Sequence, residues 1–175
     1  FSDDDEELAQ VVARRLLAEN ISFSCAESCT GGMFASEMTG VPGISAVFER
    51  GIVAYSNRAK TEELGVSAEI LERYGAVSRE CALAMARGLA ERTGSRLAIA
   101  VTGIAGPGGG TPEKPVGLIY IACVFDGEAH CRELRMRGGM SRYRNRRHAV
   151  LSMLSMILRL VGAEKGTGSV KPGRP

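Results

Sequence analysis

The segment Leu97–Val101 is apolar at every position, and this run places the strongest constraint on the fold. A strand without polar alternation is typical of the middle of a sheet that has helices packed on both faces. Strand-like and helix-like segments alternate along the chain, which favours helix layers on each side of one sheet. The sequence therefore predicts an α/β fold, specifically a three-layer α/β/α sandwich.

The sheet is predicted to be mixed and mostly parallel, with one antiparallel hairpin strand. Apolar runs at residues 21–25 and 46–55 each lead into a helical segment, as expected of strands in a parallel sheet. A longer apolar run at 116–125 ends in Asp126-Gly127, a pair typical of two-residue hairpin turns. Residues 129–136 are therefore expected to return antiparallel to that strand.

Six helices are predicted from apolar residues at helical spacing and from residues that favour helix ends. Serine, threonine and asparagine are preferred at the N-cap, and glycine is preferred just after a helix. The first helix is expected over residues 4–19, and the second begins near Met33 with Ser28 or Thr30 as its cap. The next three are expected to be capped by Ser56 or Asn57, by Ser67 and by Ser78. The final helix is expected to end at Gly162.

Length and charge narrow the class of protein. A chain of 175 residues is long enough to bury a core, and its net charge of +2 is too small to favour nucleic-acid binding. Residues 132–147 hold seven arginines and one acid, which indicates either a phosphate-binding edge or a basic surface. Residues 164–175 are rich in Gly, Pro and Lys, a composition typical of a disordered tail.

The five cysteines favour a reducing compartment. They form no C-x-x-C pair and no Cys/His metal spacing, so the sequence predicts neither a disulfide framework nor a metal site. The sequence shows no signal peptide and no apolar run near the roughly 20 residues that a membrane helix needs. We therefore expect a cytoplasmic protein with no membrane partner and no cofactor.

One turn offers three side chains that can act as nucleophiles, namely Ser28, Cys29 and Thr30. It lies between an apolar strand and a helix, where unpaired N–H groups and the helix dipole favour an anion or an oxyanion. The alternative is an ordinary strand-to-helix turn in which Ser28 or Thr30 only caps the helix.

Three polar clusters follow predicted strands, and parallel strands would bring them to one edge of the sheet. They are the Ser28–Thr30 turn, residues Tyr55–Lys60, and Thr102-Gly103 with the loop that follows. Open α/β sheets bind ligands at this carboxyl edge. The loop from Gly103 to Gly117 has six glycines and three prolines, which indicates either a functional loop or a surface Ω-loop.

A serine nucleophile in this chain needs a base other than histidine. The two histidines, His130 and His148, lie in a predicted edge strand and in the last helix, and the chain has no G-x-S-x-G motif. Lys60 is the best candidate base, provided that desolvation lowers its pKa from the usual value of about 10.4. Tyr55 is placed to relay or orient protons beside it, whereas an ordinary solvated lysine remains the alternative.

Several motifs together closely resemble the CinA C-terminal domain family, whose members include the PncC-type nicotinamide mononucleotide deamidases. The resemblance covers residues 5–161 in order and spacing. It rests on five motifs, which are Ala26–Gly32 (AESCTGG), Tyr55–Lys60 (YSNxxK), Gly75–Ser78 (GAVS), Thr102–Pro107 (TGIAGP) and Glu113–Gly117 (EKPVG).

The resemblance implies an amidohydrolase that converts nicotinamide mononucleotide to nicotinate mononucleotide and ammonia, without a metal. It implies that residues 1–163 form one such domain, with Ser28 as nucleophile, Lys60 as its base and Tyr55 assisting. Residues implied to bind the nucleotide are Thr30, Gly31, Gly32, Thr102, Gly103, Gly106 and Arg142.

The chain departs from the family pattern before the last helix, where members often carry Gly-Asp-Arg. Residues 138–144 lack the acid, so Arg142, Arg144 or Arg146 must supply the arginine for a phosphate. This departure keeps open a non-catalytic module that binds a nucleotide or a partner. Association into a homo-oligomer and an amino-terminal CinA domain in a longer chain are also left open, because the chain begins at Phe1 and its last helix is strongly apolar.

Overall fold

The computed structural model describes residues 7–136 and 138–163. Their secondary structure alternates helices and strands and closes with a hairpin and a long helix. In chain order the elements are α1 (Leu8–Ala18), β1 (Phe23–Glu27), α2 (Met33–Thr39), β2 (Phe48–Val53), α3 (Asn57–Leu64), α4 (Ala68–Tyr74), α5 (Arg79–Thr93), β3 (Leu97–Gly103), β4 (Leu118–Phe125), β5 (Glu128–Arg135) and α6 (Arg142–Ala163).

The strands form one mixed sheet in the order β2-β1-β3-β4-β5. Strand β1 is central to the parallel half, where Cys25 pairs with Gly51 of β2 on one side and with Ile99 of β3 on the other. Strand β4 runs antiparallel to both β3 and β5, so it is the one strand of opposite direction. The predicted mixed, mostly parallel sheet is confirmed.

Strand β3 is covered on both faces, as its apolar sequence predicts. Leu97, Ile99 and Val101 point into a core shared with α1, α2 and α6. Ala98 and Ala100 point into a second core, shared with α3 and α5. The small alanines on this second face let α5 approach the sheet closely, and the result is the predicted three-layer sandwich.

A glycine fixes the distance between α3 and α5. A Cβ atom built at Gly88 in α5 would lie 1.7 Å from the carbonyl oxygen of Leu64, the last residue of α3. No side chain fits at that separation, so only glycine allows the two helices to pack this closely. This contact sets the position of α3, the helix that carries Lys60.

The predicted helix caps are confirmed for three helices and wrong for one. Ser56, Ser67 and Ser78 each accept a hydrogen bond from a backbone N–H in the first turn of α3, α4 and α5. The N-cap of α2 is instead Gly32, in the left-handed region, so neither Ser28 nor Thr30 caps that helix. The side chain that serves its first turn belongs to Glu27.

Other element limits shift by a few residues. Strand β1 extends beyond the predicted 21–25 because its pairing with β3 continues to Glu27, and β2 is shorter than predicted because residues 44–46 form a 3-10 turn. Helix α6 does not end at Gly162 but continues to Ala163. Glycine can adopt helical backbone angles, and no neighbouring atom near Gly162 forces the helix to stop there. Residues 4–6 of the first predicted helix and the predicted 164–175 tail lie outside the described residues.

Candidate active site

The turn that carries Ser28 is an extension of β1. The Ser28 N–H donates to the carbonyl of Val101 at 3.1 Å, so pairing with β3 continues for one residue past the strand. The Ser28 carbonyl accepts from the Gly31 N–H at 3.1 Å, which closes a tight turn. The Ser28 side chain is 8% exposed and faces the pocket at the carboxyl edge of the sheet.

The start of α2 is occupied by a carboxylate of the chain itself. Glu27 is 1% exposed and accepts hydrogen bonds from the backbone N–H groups of Gly32, Phe34 and Ala35 at 2.9–3.1 Å. The expected anion site at this helix N-terminus is therefore wrong, because its donors are already paired. Sequence reasoning missed Glu27, although its place directly before Ser28 was visible.

Lys60 reaches Ser28 from the neighbouring element. Ser56 caps α3 through the Ala59 N–H at 3.0 Å and fixes the first turn of the helix. The Nζ atom of Lys60 then lies 3.0 Å from the Oγ of Ser28. It also donates to the carbonyl oxygens of Ala54 at 2.9 Å and of Tyr55 at 3.1 Å.

Burial makes the amine of Lys60 easier to deprotonate than that of a solvated lysine. The side chain is 1% exposed, and burial lowers the pKa of Lys60 from its usual value of 10.5. The thiols of Cys81 and Cys29 oppose this shift only weakly, since burial also raises their pKa values to about 11 and about 12. A neutral amine can donate to the two carbonyls and keep its lone pair for the Ser28 hydroxyl.

A pocket of about 200 Å³ opens above this pair of residues. It brings together residues from the ends of β1, β2 and β3, as expected for three parallel strands. Of the candidate site residues named from the sequence, those that line it are Ser28, Cys29, Tyr55, Lys60, Thr102, Gly103 and Arg142.

Arg142, the first residue of α6, closes one side of the pocket. Its guanidinium donates to the carbonyl of Gly106 at 2.7 Å and to the hydroxyl of Tyr55 at 2.8 Å. Tyr55 is 58% exposed and therefore lies at the rim. Within the described residues its hydroxyl makes no hydrogen bond to Ser28 or Lys60, and the hydrogen bond between Lys60 and Tyr55 is accepted by the Tyr55 backbone carbonyl.

The third wall comes from the end of β3 and the α4–α5 turn. The Thr102 hydroxyl donates to the carbonyl of Ala76 at 2.7 Å, which joins the strand to that turn. Gly106 contributes its carbonyl to Arg142 and does not itself line the pocket. Ala76 and Val77 do line it, and the Gly75–Ser78 motif was the sequence signal for them.

Some candidates from the sequence lie away from the pocket. Thr30, Gly31 and Gly32 are not among its lining residues, although the Thr30 carbonyl accepts from the Arg146 guanidinium behind the turn. Arg144 and His148 are exposed on α6, and His130 is partly buried on β5. Among the described residues, no three Cys, His, Asp or Glu side chains come close enough together to hold a metal ion.

All five cysteines are free thiols, and four of them are buried. Across residues 7–136 and 138–163, the helices are too short or too polar to cross a membrane.

The fold and the pocket define a three-layer α/β/α domain with a buried serine–lysine pair at the carboxyl edge of its parallel strands. Residues 5–161 match the family model described as the CinA C-terminal domain. The chain therefore belongs to the CinA C-terminal domain family.

Curated relatives are named as competence-damage inducible or CinA-like proteins. A putative competence-damage inducible protein from Acetivibrio thermocellus is 51% identical over 166 residues, covering 95% of this chain and 40% of the relative. A CinA-like protein from Dictyoglomus thermophilum is 46% identical over 144 residues, covering 82% of this chain and 35% of the relative. The chain thus spans less than half the length of these relatives.

Solved structures agree with the fold. The competence/damage inducible protein CihA from Agrobacterium tumefaciens superposes with a TM-score of 0.83 at 43% identity, covering 89% of this chain and 96% of that one. A CinA superfamily protein from Escherichia coli superposes with a TM-score of 0.84 at 33% identity, covering 91% and 93%.

Proposed function

We propose that the domain is an amidohydrolase that converts nicotinamide mononucleotide to nicotinate mononucleotide and ammonia. The observation that carries the proposal is the 3.0 Å separation of Lys60 Nζ and Ser28 Oγ inside a pocket. A buried lysine whose pKa is lowered by desolvation is suited to remove a proton from a serine hydroxyl. The choice of nucleotide rests on the resemblance of the five motifs to nicotinamide mononucleotide deamidases.

In the first half of the reaction, Ser28 Oγ attacks the carboxamide carbon while its proton passes to the neutral amine of Lys60. The carbonyl oxygen gains the electron pair and becomes an oxyanion. When the tetrahedral intermediate collapses, the C–N bond breaks, and the Lys60 ammonium returns the proton to the leaving nitrogen. Ammonia departs, and the acyl group remains on Ser28 as an ester.

In the second half, water attacks the ester carbon with Lys60 again as the base. The bond to Ser28 Oγ breaks, Lys60 returns the proton to the serine, and the nucleotide leaves as a carboxylic acid that releases its proton to solvent. No further group is needed to balance either half. Tyr55 supports both steps through the carbonyl that holds the Lys60 amine in place.

One backbone donor near Ser28 is suited to stabilise the oxyanion. Cys29 lines the pocket, and its N–H donates no hydrogen bond to any other residue in the part of the chain that the structure describes. This N–H directly follows the nucleophile, where a donor to an acyl-transfer oxyanion is effective. We assign the oxyanion to this group rather than to the first turn of α2.

Arg142 is the residue proposed to bind the substrate phosphate. It lines the pocket, whereas Arg144 does not and Arg146 bonds the Thr30 carbonyl. A guanidinium can hold a phosphate through two parallel hydrogen bonds. Its present partners, Tyr55 and Gly106, place it at the pocket entrance.

The second candidate function is a non-catalytic module that binds a nucleotide or a partner. The observation that favours it is the missing acid before α6. Ammonia release and calorimetric binding, both measured with nicotinamide mononucleotide, separate the two candidates. Multiple turnovers with stoichiometric ammonia support the hydrolase, whereas binding without any ammonia release selects the module.

A further inference from the structure

We propose that Glu27 is a positioning residue, which holds the Ser28 turn in its reactive geometry through the first turn of α2. Its carboxylate accepts one hydrogen bond from Ala35 at 2.9 Å, and one each from Gly32 and Phe34 at 3.1 Å. The side chain is 1% exposed, so water does not compete for these donors. The inference rests on the proposed role of Ser28 as nucleophile.

Other hydrogen bonds hold the Ser28 end of the turn, and Arg146 holds the Thr30 carbonyl, but these contacts leave the N–H groups at the start of α2 to Glu27. Gly31 and Gly32 both adopt left-handed backbone angles, with φ of 58° and 92°, and glycine gives such a segment the most conformational freedom. The N-cap residue Gly32 has no side chain to bond the helix, and α2 is only 7 residues long. Helices of that length are not stable without external contacts.

The Glu27 carboxylate supplies the two things that stabilise a helix N-terminus, namely hydrogen-bond acceptors and negative charge. It pairs N–H groups that have no partner within the helix, and its negative charge interacts favourably with the positive end of the helix dipole. Hydrogen bonds to an ionised acceptor are roughly twice as strong as neutral ones. Glu27 therefore fixes both ends of the segment that contains Ser28, because it is the residue before the turn and binds the residues after it.

Strand geometry separates the two side chains. Cys25 faces the core shared with α1, α2 and α6, and Ala26 faces the core shared with α3 and α5. Alternation then directs Glu27 toward α2 and Ser28 toward Lys60 on α3. The carboxylate therefore bonds α2 while Lys60 bonds Ser28, and the role of Glu27 is one of position rather than proton transfer.

This arrangement also decides which donors remain for the oxyanion. Glu27 occupies the N–H groups of Gly32, Phe34 and Ala35, whereas that of Cys29, which lines the pocket, is left for the substrate. Loss of the carboxylate frees three donors and relaxes the turn. Ser28 and the N–H group of Cys29 then lose their common orientation.

The test compares Glu27→Gln with wild type in the full chain. The variant keeps the side-chain volume but replaces one acceptor oxygen with an N–H donor group. The readouts are the labelling rate of Ser28 by a fluorophosphonate, which needs no nucleotide, and kcat and KM for ammonia release. We expect labelling and kcat to fall about 100-fold with KM nearly constant, as for a nucleophile displaced by about 1 Å. The pH midpoint of labelling stays at the wild-type value because Lys60 is still the base.

Glu37→Gln is the matched control, since Glu37 is also a carboxylate of the α2 region and pairs with Arg147 away from Ser28. It is expected to label at the wild-type rate even if it lowers the thermal stability. A folded Glu27→Gln protein that labels as fast as wild type overturns the inference. If that variant does not fold, Glu27→Asp replaces it, because the charge remains but the shorter side chain cannot reach all three donors.

The Asp variant is expected to label at least about 10-fold more slowly than wild type. Labelling at the wild-type rate overturns the inference in this variant too. Wild-type protein that labels at Ser28 but releases no ammonia contradicts the proposed substrate and leaves the role of Glu27 intact. Wild-type protein that does not label at Ser28 contradicts the nucleophile and this inference together.

Discussion

The amine of Lys60 lies 3.0 Å from the hydroxyl oxygen of Ser28, although the two residues are 32 positions apart and belong to different elements. Two separate structural features produce this contact. The sheet places the ends of β1 and β2 side by side, and Ser56 caps α3 so that Lys60 points back over β1. The backbone carbonyls of Ala54 and Tyr55 then fix the amine.

Substitution of Lys60 with Met tests the proposed base. The variant keeps a long side chain in the buried position but removes the amine, so ammonia release is expected to fall by about 100- to 10,000-fold, the range for loss of a general base. Arg58→Met is the matched control, because Arg58 lies on the same helix with 83% of its side chain exposed. Near wild-type turnover by Lys60→Met would exclude Lys60 as the base.

The activity is expected to rise with pH. Burial lowers the pKa of Lys60 below 10.5, and the neutral amine is the reactive form, so kcat/KM increases through that lowered pKa and then levels off. The nearby thiols of Cys81 and Cys29, with pKa values of about 11 and about 12, remain protonated in this range. The measurement is kcat/KM from about pH 6 to pH 10, and a rate that falls or stays flat across the range contradicts the account.

The same pKa shift affects stability. Between the folded-state pKa of Lys60 and 10.5, the unfolded chain binds this proton more than the folded chain does. The free energy of unfolding therefore rises with pH in that window. Denaturant unfolding of wild type and Lys60→Met at several pH values checks the sign, because the wild type should gain stability relative to the variant as pH increases.

Arg142 is expected to act on binding more than on chemistry. Arg142→Met removes the guanidinium proposed to hold the phosphate, and KM should rise by about 10- to 100-fold, the cost of a lost charge-assisted contact. The matched control is Arg144→Met, two residues along the same helix and exposed. An unchanged KM in Arg142→Met, measured by ammonia release, would show that Arg142 does not bind the phosphate.

The contact between α3 and α5 supplies a test of how the base is positioned. Gly88→Ala places a methyl group against the Leu64 carbonyl, so we expect a loss of about 1–3 kcal/mol in the free energy of unfolding and a lower kcat. Gly162→Ala is the matched control, since Gly162 is also helical but has nothing within 4 Å of its missing side chain. It is expected to gain up to about 1 kcal/mol. Equal stability in the two variants, measured in denaturant, would show that α3 is not held by this contact.

Local chemistry made much of the fold predictable. The apolar run of β3, the Asp126-Gly127 turn and the serine caps each depend on a few adjacent residues, and the structure has the corresponding elements. The convergence of Ser28 and Lys60 was also predictable, because parallel strands bring their carboxyl ends to one edge.

Contacts between distant residues could not be predicted in this way. The hydroxyl of Tyr55 bonds Arg142, 87 positions away, instead of the lysine beside it. Glu27 looks like any acidic residue in the sequence, and only the fold shows that it lies under α2 and binds three of its N–H groups. Both contacts depend on how layers pack, and the local sequence does not encode that.

The most direct test is ammonia release from nicotinamide mononucleotide by wild type, Ser28→Ala and Ser45→Ala, with Ser45 as an exposed serine away from the pocket. The account predicts turnover by wild type and Ser45→Ala, and a loss of at least about 1,000-fold in Ser28→Ala. Mass spectrometry of quenched wild-type protein should also find the acyl group on Ser28. Full turnover by Ser28→Ala would contradict the central claim that Ser28 is the nucleophile.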